Sequence, residues 1–161
     1  MEEREFIAND YITLRLKRSE NGEENWRTVI YINGEEFLHC KFLLILNPHE
    51  TEGQWEVRSI DDADERLGTD LERDLYPENL GITPKQEFMA HCSNIHAWIE
   101  HSYDTRLLHR SISFPMLKEL TQAGDQKAKI IFKNEIASRF ASGNQTVRQF
   151  LMNERFLTYF D

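Results

Sequence analysis

The chain has 161 residues, 40% of them hydrophobic, which is enough for one domain with a buried core and excludes a globally disordered chain. Its 28 acidic residues against 19 basic ones give a formal net charge of −9, which disfavours nonspecific binding to nucleic acid or to an anionic membrane. Cys40 and Cys92 lie far apart and follow no secretory hydrophobic segment, so we expect a cytoplasmic protein with reduced thiols and no membrane span.

Residues 1–60 have the patterns of an antiparallel β-meander. Three segments there resemble strands in their alternation or their β-branched content: Tyr11–Lys17, Trp26–Ile32 and Glu36–Leu46. Asn33 and Gly34 form the dipeptide that a tight type I′ hairpin requires, because both positions need a positive φ. Gln54–Ile60 is a candidate fourth strand.

Residues 61–82 form an acidic connector. Within it, Asp61–Leu75 predicts a short helix with one leucine stripe and a solvated acidic face, ended by Pro77. The acidic residues do not have the spacing of an EF-hand, so calcium binding is disfavoured.

The region from residue 83 to the end is predicted to be helical. Thr83-Pro84-Lys85-Gln86 is a capping box with proline at the first helical position, and the helix should run to about His101. The segment Tyr103–Thr105 then breaks the pattern. Arg106–Ala123 is predicted as a helix that bends or splits at Pro115, with Ser113 capping the second piece.

Glycines separate the remaining predicted helices. Gly124 fits the position after a helix and Asp125 the next N-cap, giving a helix through Ala141. Gly143 precedes a last helix, about residues 146–154. The predicted fold is therefore α+β: an N-terminal antiparallel β-meander of three to four strands packed on a C-terminal bundle of four to five helices. We expect one domain, 1–161, with a β-meander lobe (1–60), the acidic connector and a helical lobe (83–161), because the apolar strand end needs a helical cover.

Cys92, His96 and Glu100 are spaced by four residues and suggest a metal-binding stripe. Each step of four turns about 40° around a helix, so the three side chains do not converge on one ion. The predicted apolar face of that helix contains Cys92, which favours a core cysteine. His39-Cys40 could supply outside ligands, but no zinc-type spacing is present. We expect no metal and no cofactor.

The polar groups between residues 87 and 110 suggest a catalytic site at the junction of two helices. Its candidate catalytic residues can move protons or hold an anion: His91, Asp104, Arg106 and His109. The candidate binding residues are neutral and polar: Ser93, Asn94 and Tyr103. His109 could use Asp104 or Ser93 as its partner. The structural alternative, a capped helix corner, is favoured because no oxyanion loop or glycine-rich nucleophile turn accompanies the group.

Several segments resemble an uncharacterised archaeal protein family that is also found as a segment attached to leucine-rich repeats. The similar segments cover most of the chain: Tyr31–Leu44, Phe88–Trp98, Tyr103–Arg110, Phe114–Asp125 and Phe132–Gly143. The family has no assigned activity, and the resemblance implies a role in protein–protein interaction by association only. Six residues follow its pattern: His91, Cys92, Asn94, Asp104, Arg106 and His109. His96, Glu100 and His101 depart from it, which counts against a shared metal role.

These observations favour a non-catalytic protein-interaction or adaptor module with a protein partner. The aromatic tail Phe156–Phe160 could dock within the chain or form a homodimer contact. The alternative function is a hydrolytic enzyme at the helix junction. A weaker one is ribosome or RNA association through a basic strip: Arg106, Arg110, Lys118 and Lys133.

Overall fold

The computed structural model describes residues 1–20, 25–38, 58–67, 80–143, 145–153 and 155. It confirms an α+β fold, with an N-terminal four-stranded antiparallel sheet followed by five α-helices. The strands are β1 Arg4–Ile7, β2 Ile12–Arg18, β3 Trp26–Ile32 and β4 Glu35–Glu36, and their order in the sheet is β1-β2-β3-β4. The helices are α1 Ile60–Leu67, α2 Pro84–Glu100, α3 Arg110–Gln122, α4 Gln126–Ser142 and α5 Gln145–Asn153. A short 3-10 helix, Thr105–Leu107, lies between α2 and α3.

The alternation in β2 separates a buried face from an exposed one. Ile12, Leu14 and Leu16 are fully buried, whereas the residues between them point away from the core. Asn33 has a φ of 53° and Gly34 a φ of 82°, which confirms the predicted tight turn between β3 and β4. The predicted strand Glu36–Leu46 is described only at its start, since residues 39–46 lie outside the described part of the chain.

Two features of the sheet differ from the prediction. β1 was missed because Arg-Glu-Phe-Ile is short and has no clear alternation, yet it pairs with β2 in the register Phe6↔Leu14. The candidate fourth strand Gln54–Ile60 is wrong at its end, because Ile60 is the first residue of α1. Its residues 54–57 lie outside the described residues. The helix predicted from Asp61 is present to Leu67, and the part of it from residue 68 onward is likewise outside them.

The capping box at the start of α2 is confirmed. The Thr83 N–H donates to Gln86 Oε1 at 2.9 Å, and the Gln86 N–H donates to Thr83 Oγ1 at 3.2 Å. The C-terminus of α2 has a Schellman motif, in which the Tyr103 N–H donates to the carbonyl of Trp98 at 2.8 Å and the Ser102 N–H to that of Ile99 at 3.1 Å. Ser102, at the C′ position, has the positive φ that this motif requires, 58°, and Tyr103 after it also has a positive φ, 59°.

The predicted split of the next helix at Pro115 is wrong. The chain breaks earlier, at Leu108, which is extended and buried, and His109 rather than Ser113 is the N-cap of α3. Pro115 lies inside α3, where it removes one backbone hydrogen bond. The fully buried Phe114 and Met116 on either side of Pro115 hold this turn against the core, so the helix continues.

The later helix boundaries follow the predicted signals closely. Gly124 has a φ of 99°, and Asp125 is the N-cap of α4, accepting the Ala128 N–H at 3.1 Å. α4 ends at Ser142, one residue beyond the prediction, and α5 starts one residue earlier than predicted. The aromatic tail lies outside the described residues.

One hydrophobic cluster joins the sheet to the helices. It contains the inward side chains of β2 and β3 together with large residues of α2, α3 and α4, among them Trp98, Phe114 and Phe132, which are fully buried. This shared core fixes the position of the helix junctions relative to the sheet. None of the described helices is both long and apolar enough to cross a membrane.

Candidate functional site

The buried face of α2 is rotated from the predicted one. Its buried residues are Phe88, His91, Ile95 and Trp98, whereas Cys92 is partly buried at the margin of the core. The fully buried Trp98 has the larger apolar surface, so burying Trp98 turns Cys92 toward the edge. His91 Nε2 lies 3.5 Å from Glu87 Oε1, one turn earlier in the same helix. This imidazole therefore has a carboxylate partner at the edge of the core.

The predicted binding residues lie in different environments. Ser93 and Asn94 are exposed on α2, whereas Tyr103 is buried. The Tyr103 hydroxyl donates to Asp125 Oδ2 at 2.6 Å and accepts from Asn9 Nδ2 at 3.0 Å. Burial raises the pKa of Tyr103 well above its usual range, and the hydrogen bond to Asp125 raises it further. Tyr103 joins the β1–β2 turn to the start of α4.

Asp104 and Arg106 are bonded to each other. The Asp104 carboxylate accepts the Arg106 N–H at 3.0 Å, which caps the 3-10 helix, and it accepts Arg106 Nη2 at 2.6 Å. The hydrogen bonds from Arg106 hold the pKa of Asp104 below its ordinary value. The Arg106 side chain is 69% exposed, so this pair lies at the surface.

His109 faces partners that the sequence did not indicate. Its Nδ1 accepts the Ser111 N–H at 3.2 Å and lies 2.7 Å from Ser111 Oγ. A nitrogen that accepts a backbone N–H carries no proton, so in the neutral imidazole the proton is on Nε2. Nε2 lies 3.7 Å from Asp61 Oδ1. The structure thus places Ser111 and Asp61 beside His109, where the sequence suggested Ser93 or Asp104.

Asp61 is the centre of the densest charged cluster in the described part of the chain. Its Oδ1 accepts the Arg110 N–H at 2.9 Å and the Arg110 guanidinium at 3.4 Å, and its Oδ2 accepts Arg139 Nη1 at 2.7 Å. With His109, these residues surround the carboxylate of Asp61, whose side chain is 10% exposed. We call Arg110, Arg139 and His109 the Asp61 cradle.

Thr105 and Glu135 extend the cradle toward α4. Thr105 Oγ1 donates to Glu135 Oε2 at 2.8 Å and accepts Arg139 Nη2 at 3.2 Å. Glu135 Oε2 lies 3.7 Å from Arg139 Nε. The Arg139 guanidinium is therefore shared between two carboxylates and the hydroxyl and carbonyl of Thr105, which fixes its orientation toward Asp61.

Sequence reasoning missed Asp61 because it treated the acidic connector as a solvated face. An acidic residue in the first turn of a helix is common for reasons local to that helix. The partners of Asp61 are 49 and 78 residues away, so no spacing pattern indicates them.

Within the described residues, no group of three or more His, Cys, Asp or Glu side chains is arranged to hold a metal ion. His96 Nε2 lies 3.2 Å from Glu100 Oε1, and both side chains are more than half exposed. Burial raises the pKa of the Cys92 thiol to about 11. The predicted stripe thus divides into an exposed His–Glu pair and a protonated thiol.

A groove of about 390 Å³ lies between β1 and α2. It is lined by residues of these two elements: Arg4, Glu5, Phe6, Phe88, Met89 and Cys92. A smaller cavity of about 240 Å³ lies next to β4, with an acidic and apolar lining: Ile32, Glu35, Glu36, Phe37, Leu38 and Glu119. Neither cavity is lined by the predicted catalytic residues.

The predicted basic strip is not a continuous surface. Arg106 points outward and is bonded to Asp104, whereas the Arg110 side chain is 16% exposed and turns toward Asp61. Adjacent members of the strip therefore point in different directions, which weakens the case for nucleic acid.

No family model, curated protein or solved structure matches this chain. The resemblance to the archaeal family stays a prediction, and the functional argument depends on the geometry.

Proposed function

We propose that this protein is a non-catalytic protein-interaction module that binds an extended segment of a partner in the groove between β1 and α2. The groove itself carries the proposal, because it combines apolar side chains from two elements with an exposed methionine. Met89 is 57% exposed, and Phe6 and Phe88 lie beside it against the core. Exposed apolar surface next to polar residues is typical of protein-binding sites.

The position of β1 supports an extended ligand. β1 is the outer strand of the sheet, and β2 is its neighbour among the described strands. An outer strand offers backbone N–H and carbonyl groups to an added strand, and alternate side chains of that strand can enter an adjacent groove. Arg4 and Glu5 supply one charge of each sign at the groove.

The state of Cys92 favours binding over catalysis in this groove. A catalytic cysteine needs a lowered pKa, which a nearby cation or helix N-terminus provides. Burial raises the pKa of Cys92 to about 11, so its thiol is protonated near neutral pH. Cys92 therefore contributes apolar surface to the groove. The association of the archaeal family with repeat proteins is consistent with this proposal.

Two methionine substitutions test the groove. Met89→Glu places a charge in the groove, while Met152→Glu changes a methionine of similar exposure, 54%, on α5. Both variants should fold. The wild type and Met152→Glu should capture the same stoichiometric partner from a native lysate, and Met89→Glu should weaken that capture at least tenfold. Equal capture by the two variants, or no partner with any of them, would contradict the proposal. If the partner is a second copy, Met89→Glu alone should become monomeric in size-exclusion chromatography.

A hydrolytic enzyme is the second candidate, and one observation favours it. Ser111, His109 and Asp61 form a hydroxyl–imidazole–carboxylate series, with 2.7 Å from Oγ to Nδ1 and 3.7 Å from Nε2 to Oδ1. Against it, the same Nδ1 caps the helix, and Asp61 is already bonded to two arginines. An esterase assay with p-nitrophenyl acetate distinguishes a catalytic site from a structural cap. Activity lost in Ser111→Ala and retained in Ser138→Ala would favour the enzyme, and wild-type activity no higher than that of Ser111→Ala would exclude it.

A further inference from the structure

We propose that the Asp61 cradle is a carboxylate-binding site that Asp61 occupies from within the chain, and that an acidic segment of a partner takes the place of Asp61 when α1 leaves. The cradle shares no residue with the groove between β1 and α2, so this inference goes beyond the interaction proposed there.

The geometry is that of a bound carboxylate. The two oxygens of Asp61 have separate donors: Oδ1 accepts the backbone and guanidinium of Arg110, and Oδ2 accepts Arg139 at 2.7 Å. His109 Nε2 faces Oδ1 at 3.7 Å. The Arg110 N–H belongs to the first turn of α3, a helix of 13 residues whose N-terminus favours negative charge. Two guanidiniums, an imidazole and a helix N-terminus thus converge on one carboxylate.

The charges of the cluster require an anion at this place. With Asp61 present, the carboxylates of Asp61 and Glu135 balance the guanidiniums of Arg110 and Arg139. Without Asp61, Glu135 is the remaining carboxylate of this cluster among the described side chains, and within those residues one positive charge is left over. With α1 docked, the side chains of Arg110 and Arg139 are 16% and 17% exposed, so a substitution of Asp61 that leaves α1 in place leaves a charge that solvent compensates poorly.

The described part of α1 has few buried side chains to hold it in place, which favours an exchange of ligands. Among the α1 side chains that the structure describes, Asp61 and Ala63 are the buried ones. Ala63 contributes little apolar area, so the charged contact of Asp61 dominates the docking of this part of α1. The segment Asp61–Glu65 reads Asp-Asp-Ala-Asp-Glu, so the internal occupant is itself an acidic peptide.

The test removes the negative charge of the internal occupant and supplies a carboxylate in solution. Asp61→Asn removes the charge at constant volume, and Asp62→Asn is the matched control, since the Asp62 carboxylate accepts the Arg58 N–H instead. Melting temperatures are measured in sodium acetate, sodium chloride and sodium phosphate at equal ionic strength. In Asp61→Asn, 100 mM acetate should raise the melting temperature by about 2–4 °C more than chloride does. The wild type and Asp62→Asn should respond equally to acetate and chloride.

A second variant shows where acetate acts. Asp61→Asn combined with Arg139→Gln should lose the extra response to acetate. If Asp61→Asn is unfolded in chloride, acetate should restore its far-UV circular dichroism, and failure to restore it overturns the proposal. Equal effects of acetate and chloride in Asp61→Asn, or an effect of phosphate without one of acetate, overturn it as well. The Met89→Glu result is independent of all these outcomes.

Discussion

Several of the reactive side chains between residues 87 and 110 have a definite structural partner. His91 faces Glu87, Tyr103 joins Asn9 to Asp125, and Asp104 is bonded to Arg106. A side chain that is held by such contacts stabilises the corner between α2 and α3. The charged cluster with the most partners among the described residues is centred outside this region, on Asp61.

Cys92 gives a prediction on reactivity and pH. Because burial raises the pKa of its thiol from 9.0 to about 11, the nucleophilic thiolate is scarce near neutral pH. Alkylation of the Cys92 peptide by iodoacetamide, followed by mass spectrometry, should be at least tenfold slower than that of a free cysteine at pH 8. The rate should rise about tenfold per pH unit up to pH 10.

The same shift affects folding stability with a definite sign. The folded state holds the Cys92 proton more tightly than the unfolded state does, so the stabilisation is fully present below pH 9 and is lost between pH 9 and about 11. In 8 M urea the Cys92 peptide should react as fast as the free cysteine, which serves as the control. A native rate at pH 8 equal to the rate in urea would contradict the assigned burial.

At the level of elements, the ends of the helices follow local chemistry. The residue types alone predict the capping box of α2, the Asp125 cap of α4 and the glycine position after α3, and the structure contains all three. The C-terminus of α2 departs from this rule, because Ser102 stands where glycine is the usual residue. A side chain at that φ costs free energy that glycine does not.

Two serine-to-glycine changes should therefore have opposite effects. Ser102→Gly should raise the free energy of unfolding by about 0.5–1 kcal/mol, because it relieves the left-handed backbone at 58°. Ser93→Gly, at an exposed position inside α2, should lower it by about 0.5 kcal/mol, because glycine is the poorer helix former. Urea denaturation followed by circular dichroism measures both. Destabilisation by Ser102→Gly would show that the serine side chain itself stabilises the Schellman motif.

For the whole molecule, the shared core is supplemented by polar contacts between residues far apart in sequence. Asn9 and Tyr103 are 94 residues apart, and Asp61 and Arg139 are 78 apart. Hydrogen bonds between buried groups add little net free energy when they form, but they are costly to break from one side. These contacts therefore fix the arrangement of the sheet and the helices more than they add to overall stability.

The Tyr103 hydroxyl allows the contribution of one such contact to the free energy of unfolding to be measured. Tyr103→Phe keeps the ring against Trp98, at 4.6 Å between centroids, but removes the hydroxyl that links Asn9 to Asp125. The unfolding free energy should fall by about 1–3 kcal/mol, because a buried carboxylate loses a donor. Tyr31→Phe keeps its ring beside Arg15 and should cost less than about 0.5 kcal/mol. Equal midpoints in urea for these two variants would contradict a structural role for the Tyr103 hydroxyl.

Much of the fold could be predicted because its signals are local. The alternation in β2, the Asn33-Gly34 turn and the caps of α2 and α4 depend on residues within a few positions of one another. β1 was missed because its stability comes from pairing with β2, and the pattern of a four-residue segment does not predict that pairing. The position of the break before α3 was also missed, since Pro115 is a strong local breaker that the surrounding buried side chains override.

The sequence by itself determined the α+β class, the order of the elements and most of their ends, because short-range hydrogen bonding and hydrophobic periodicity decide these. It also identified His109 as a residue with polar partners. Which partners those are was decided only by the tertiary structure, since Asp61, Arg110 and Arg139 meet where α1 packs against the 3-10 helix Thr105–Leu107 and α3 packs against α4. The same holds for the groove, which exists because the rotation of α2 buries Trp98 and leaves Met89 and Cys92 facing β1.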